Sequence, residues 1–139
     1  MKYLLDTDIC INIIRSKEDS LLRKVCALEL EQLSVSSITV AELELGAAKS
    51  SKPDQNFLAL TQFLTPIQVR DFDKKAAHCY GELRATLESE GQRRIGAMDM
   101  LIAAQALADK LVLVTNNYRE FGRIKGLSTE SWHEVHMPA

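Results

Sequence analysis

Apolar residues along this chain switch between two spacings, short runs typical of buried strands and i, i+3, i+4 stripes typical of helices. Tyr3-Leu4-Leu5 is a short apolar run that stops at Asp6-Thr7-Asp8, which predicts a buried strand ending in a polar turn with a helix directly after it. Leu21, Val25 and Leu28 recur at i, i+4, i+7 and predict an amphipathic helix over about residues 20–30. Leu33 to Ile38 alternates apolar and small polar residues and predicts a second strand. Thr39 followed three residues later by Glu42 has the form of a capping box, so a helix is expected from Thr39 to about Ala48. Pro53-Asp54 opens another helix carrying Phe57, Leu60 and Leu64, and Ile67 to Phe72 alternates as a third strand. Asp73 then caps a long helix with Ala76, Tyr80, Leu83 and Leu87 on one face, ending near Gly91. Asp99 heads a helix with Ile102, Ala103 and Ala106 inward, and Leu111 to Thr115 is a continuous apolar run, the mark of an inner parallel strand covered on both faces. Asn116-Asn117 ends it.

Strands and helices therefore alternate, which predicts an α/β fold, a three-layer α/β/α sandwich around a central, mainly parallel sheet. The 139 residues correspond to one domain spanning 1–139, without repeat or linker. Hydrophobic residues at 46% and charged residues at 26% are ordinary for a globular chain that folds in water. Seventeen Lys plus Arg against nineteen Asp plus Glu give a net charge of −2, which argues against nucleic-acid binding through bulk positive charge. Cys10, Cys26 and Cys79 are odd in number and too widely spaced for a ligand pair or a disulfide framework, and the opening residues lack a signal-peptide core. A reducing cytoplasm is the expected location.

In an open parallel sheet, sites form beyond the carboxyl ends of the strands. Asp6, Glu42, Asp99, Asn117 and Glu120 all fall at such positions. Each has an ordinary explanation alone: Asp6 as a turn residue, Glu42 as the back-bonding half of its capping box, Asp99 as a dipole-favoured residue at a helix start, Asn116-Asn117 as a turn pair. Jointly they make a cluster of carboxylates that needs neutralising, and a hard divalent cation with oxygen ligands, Mg²⁺ or Mn²⁺ rather than Zn²⁺, suits a water-accessible cleft. Such an ion suits phosphodiester hydrolysis. Arg93 and Arg94 on a glycine-flanked loop, with Lys49 and Lys52 at the end of the Glu42 helix, are candidates for contacts to backbone phosphates. His133 and His136 read as surface residues.

The segments Leu4-Leu5-Asp6-Thr7-Asp8-Ile9, Ser36-Ser37-Ile38-Thr39-Val40-Ala41-Glu42-Leu43, Asp99-Met100-Leu101-Ile102-Ala103-Ala104 and Val114-Thr115-Asn116-Asn117-Tyr118-Arg119-Glu120-Phe121 resemble the successive motifs of PIN-domain ribonucleases, specifically the VapC toxins of bacterial toxin–antitoxin pairs. The resemblance spans essentially the whole chain. It implies a Mg²⁺- or Mn²⁺-dependent endoribonuclease, dimeric, cutting RNA, with tRNA and especially initiator tRNA the leading substrate. It further implies neutralisation by a VapB-type antitoxin whose tail lies in a groove by the active site, and a higher assembly on operator DNA through that antitoxin. Asp6, Glu42 and Asp99 would be the acidic, metal-holding triad, and Thr115 would orient one acid by hydrogen bonding. Many relatives carry Asp where this chain has neutral Asn117, so Glu120, one helical turn on, is a second candidate for the fourth site position. Two other readings differ in class. A haloacid-dehalogenase-type phosphatase also begins with a strand ending in Asp-x-Asp, but this chain has no late acidic pair. A catalytically weakened PIN-like binding module would fit Asn117 and is opposed by the intact Asp6, Glu42 and Asp99.

Overall fold

The computed structural model describes residues 2–15, 25, 27–91 and 95–132. Five parallel strands, β1 (Tyr3–Leu5), β2 (Leu33–Ser36), β3 (Gln68–Arg70), β4 (Val112–Val114) and β5 (Thr129–Glu130), form one sheet in the order β3-β2-β1-β4-β5. Leu4 lies beside Ser34 on one side and Leu113 on the other, so β1 is the middle strand. The chain builds outward from β1 through β2 to β3, then returns to place β4 on the far side of β1. That reversal makes the gap beyond β1 and β4 the topological switch point, where open parallel sheets form their sites.

Successive side chains of a strand point to opposite faces, and the two cores follow this alternation. Tyr3, Leu5, Val112 and Val114 share one core with Ile9, Leu33, Val35, Leu43 and Leu60, under the helices α1 (Thr7–Arg15), α2 (Ser37–Lys49) and α3 (Pro53–Leu64). Leu4 and Leu113 join the other with Leu87, Ile102, Ala103, Ala106 and Phe121, under α4 (Lys74–Ser89) and α5 (Ala97–Ala108). This is the expected three-layer α/β/α arrangement. A four-residue helix, α6 (Tyr118–Phe121), follows β4 and seats Phe121 in the second core.

Several boundaries differ from the sequence expectations. The second strand stops at Ser36 rather than Ile38, because the Ser36 hydroxyl accepts from the Ile38 N–H at 3.0 Å and caps α2 two residues before the expected end of the strand. The capping box at Thr39 and Glu42 is therefore absent: Thr39 is buried inside α2 and Glu42 lies well into that helix. The third strand is Gln68–Arg70, shorter at both ends than 67–72, since Asp73 already accepts from the Ala76 N–H at 2.9 Å to start α4. Most of the helix expected over 20–30 lies outside the described residues; of its apolar positions, Val25 and Leu28 pack against the first core, and the chain enters a 3₁₀ turn at Leu30–Gln32. Helix α5 is buried continuously from Ile102 to Ala106, more widely than its expected stripe. Its Gln105 amide donates to the carbonyls of Arg70 and Asp71, both at 3.1 Å, tying α5 to the end of β3. Leu58 points outward from α3 while Leu60 is buried. Cys10 and Cys79 are free thiols. No described helix is long and apolar enough to cross a membrane.

Candidate active site

Asp6 is the residue at which β1 becomes α1. Its N–H donates to Val114 O of the neighbouring strand at 2.9 Å, and its carbonyl accepts from Cys10 N–H at 3.1 Å as the helix begins. The side chain is almost wholly buried, 3% exposed. Oδ1 accepts from the Thr7 N–H and Oδ2 from the Thr115 hydroxyl, both at 2.8 Å. Thr115, just past β4, is itself buried and accepts the Asn117 N–H at 2.9 Å. Two strand ends on either side of the switch point thus hold one carboxylate rigidly.

Burial pushes the Asp6 carboxyl up from its usual range to about 6, against the lowering hydrogen bond from Thr115; the negative charges of Asp99 and Asp8 add to the rise. Asp99, in the first turn of α5, is also raised, by burial first and then by Glu42, Asp8 and Glu120. Four carboxylates from the starts of α1, α5 and α6 and from α2 therefore act on Asp99 and Asp6 across one cleft. None of the salt bridges among the described residues involves Asp6, Glu42 or Asp99. Glu42 is held instead by a hydroxyl, its Oε1 accepting from Thr7 Oγ1 at 2.8 Å. Glu120 differs: its Oε2 is paired with Arg123 Nη2 at 3.1 Å.

The structure thus gathers Asp6, Glu42, Asp99, Thr115 and Glu120. Asn117 takes part through its backbone, donating to Thr115 and accepting from Glu120 N–H at 3.1 Å to start α6. Lys49 and Lys52 are not brought in. Lys49 lies two turns beyond Glu42 on α2, about 10 Å along the axis, and both lysines are exposed. Arg93, Arg94, His133 and His136 lie outside the described residues. Sequence reasoning missed Thr7 and Thr39 in the cleft, although Thr7 stands between the two aspartates of Asp6-Thr7-Asp8, and missed Arg123, whose i, i+3 spacing from Glu120 was a readable signal.

A divalent cation fits this donor set by charge and by ligand type, since every acid in the cleft offers hard oxygen and Asp6, Asp8, Glu42 and Asp99 have no ion-pair partner among the described residues. Among the described residues no three acid, histidine or cysteine side chains stand close enough to form a ready-made ion cage.

A parallel α/β sheet with unneutralised carboxylates at its switch point is the class of protein that fold and site define. The PIN domain family profile matches residues 3–127. The tRNA(fMet)-specific endonuclease VapC of Shigella flexneri is 42% identical over 132 residues, 95% of this chain and 98% of that protein. The ribonuclease VapC2 of Rickettsia felis is 43% identical over 95% of this chain and 98% of its own length. Among solved structures, the VapBC2 complex from Rickettsia felis bound to a DNA fragment from its promoter superposes with TM-score 0.88 at 42% identity, covering 95% of this chain and 99% of that one. The DNA-bound VapBC of Salmonella typhimurium superposes with TM-score 0.89 at 39% identity, covering 95% and 98%. The chain belongs to the PIN-domain family, and within it to the VapC ribonucleases.

Proposed function

We propose that this chain is the toxin of a toxin–antitoxin pair, an endoribonuclease that uses Mg²⁺ or Mn²⁺ to hydrolyse phosphodiester bonds in tRNA, with initiator tRNA the first substrate to try. The observation that carries the reading is Asp6, a buried carboxylate with two hydrogen-bond donors, carboxylate neighbours and no ion-pair partner among the described residues. Asp6, Glu42 and Asp99 would hold the ion. When bound, it supplies Lewis acidity and charge compensation for adding water across a backbone P–O bond. The Thr115 hydroxyl and the Thr7 N–H fix the orientation of the Asp6 carboxylate, one on each oxygen. The Shigella relative's named substrate, tRNA(fMet), supports the choice of tRNA.

A groove of about 220 Å³ between α1, α2 and α3, lined by Ile11, Ile14, Leu43 and Leu60 with Glu42 at its rim, supports a VapB-type antitoxin as partner. An apolar segment with a cationic side chain would suit it. A homodimer, and assembly on operator DNA through the antitoxin, complete the proposal.

The test is incubation of purified protein with a tRNA pool in Mn²⁺, Mg²⁺ or EDTA, followed by sequencing of new RNA ends. Wild type cuts at discrete positions with either ion and not in EDTA, while Asp6→Asn and Asp99→Asn do not cut. Wild type cutting no better than the two variants would falsify the nuclease reading and favour a binding module.

A further inference from the structure

Glu42 stands where two environments meet. It belongs electrostatically to the acid cluster through Asp99, and it also lines the apolar groove between α1, α2 and α3. A glutamate side chain with three rotatable bonds can serve either, and helix α2 alone does not choose between them. The choice is made from another element. Thr7, the first residue of α1, places its hydroxyl 2.8 Å from Glu42 Oε1 and 3.1 Å from the hydroxyl of Thr39. A hydroxyl has one proton to give. With Thr7 donating to the carboxylate, Thr39 donates to Thr7, giving a chain Thr39 O–H to Thr7 O–H to Glu42 Oε1. Thr39 is fully buried on α2, one turn before Glu42, so the chain starts from a side chain that cannot reorient into water. The same Thr7 donates its backbone N–H to Asp6 Oδ1 at 2.8 Å. One residue therefore holds two acids from different elements in a common frame.

The geometry points to Thr7 as a positioning residue, whose hydroxyl commits the Glu42 carboxylate to the acid cluster and so sets the cation affinity of the site. This rests on the metal-dependent reading above and deepens it. The shape-conserving replacement Thr7→Val removes the hydroxyl while keeping the branched side chain and the backbone bond to Asp6. It leaves Glu42 one donor short and Thr39 without its acceptor. Loss of a hydrogen bond to a metal ligand typically weakens metal binding by about 10- to 100-fold, and that range is expected for Thr7→Val. Thr7→Ser restores the hydroxyl and should bind within a few-fold of wild type.

The experiment is calorimetric titration of the folded protein with Mn²⁺ alone, on wild type, Thr7→Val, Thr7→Ser, Glu42→Gln and the double variant Thr7→Val with Glu42→Gln, each checked for an unchanged melting transition without metal. The expected result is weakened binding in Thr7→Val, recovery in Thr7→Ser, and no further loss on adding Thr7→Val to Glu42→Gln, because the hydroxyl acts through that carboxylate. Wild-type affinity in Thr7→Val, or equal losses in the Val and Ser variants, overturns the proposal while leaving the metal reading intact. A full additive loss in the double variant also overturns it, since Thr7 would then act by another route. Absence of Mn²⁺ binding by wild type overturns the metal reading itself, and the proposal with it.

Discussion

The two ends of helix α5 carry acids in opposite circumstances. Asp109 caps the C-terminal end, where the helix dipole disfavours negative charge. The chain compensates with its own cations, Lys75 Nζ at 3.1 Å and Arg70 Nη1 at 3.8 Å, and Arg70 Nε is further anchored on Ser34 Oγ at 3.2 Å. Asp99, about 15 Å away at the other end, sits where the dipole is favourable, and among the described residues the charges that act on it are the carboxylates of Glu42, Asp8 and Glu120. A protein optimising stability would neutralise both. Among the described residues only the Asp109 end is paired with cations, which supports the proposal that the Asp99 end, with Asp6 and Glu42, takes an external cation.

The largest effect that distinguishes the two ends is on catalysis. Asp99→Asn or Asp6→Asn should lower RNA cleavage by at least about 100-fold, measured as initial rate in Mn²⁺, whereas Arg70→Ala should leave the rate of the folded protein within a few-fold of wild type. Equal losses at both ends would erase the distinction. Stability should run the other way. A carboxyl raised in the folded state to about 6 from 3.8 binds more protons folded than unfolded between those values, so its contribution is fully present below 3.8 and is lost as pH rises through 6. Asp6→Asn should therefore be more stable than wild type at pH 7.5, by up to roughly 3 kcal/mol, with the gain shrinking as pH falls toward 4. Urea melts across that range provide the check, and a gain independent of pH would show that Asp6 is not the titrating group.

Arg70→Ala, by contrast, should cost about 1–3 kcal/mol in the same melts, because it strips a half-buried carboxylate and the Ser34 hydroxyl of a charged partner. The smallest effect concerns Glu120, which resembles Asp109 in having a cation of its own. Arg123→Ala should change stability by only about 0.2–1 kcal/mol. If Glu120 is outside the ion's ligands, Glu120→Gln should leave Mn²⁺ affinity within a few-fold of wild type, as read by calorimetry.

Much of this contrast was legible in the sequence and part was not. Strand ends are marked by abrupt apolar-to-acid transitions, so Asp6 after Leu4-Leu5 and Asp99 before an alanine-rich helix could be placed without coordinates. Which acid is neutralised could not. Lys75 and Arg70 reach Asp109 from across the fold, and no local spacing announces a pair 34 or 39 residues apart. The second strand misled for a related reason: Ser36 satisfies strand alternation equally well as a helix cap, and its hydroxyl bond to Ile38 N–H decides the matter. That shift changed the meaning of Glu42, from a capping residue explained by its own helix to a carboxylate held by Thr7 from a neighbouring one. The short strand β5 and helix α6, of two and four residues, are below the length at which periodicity carries information.

The central claim, that Asp6, Glu42 and Asp99, unpaired with cations among the described residues, take a divalent cation, is tested most directly by Mn²⁺ titration calorimetry at pH 6 and pH 8 in buffers of different ionisation enthalpy. At pH 6 a fraction of Asp6 is protonated, so binding should release protons; at pH 8 the release should nearly vanish, and in Asp6→Asn the release at pH 6 should fall to what Asp99, also raised, contributes. Mn²⁺ binding with the same affinity and proton release in wild type and Asp6→Asn, or no binding by wild type at millimolar ion, would contradict it.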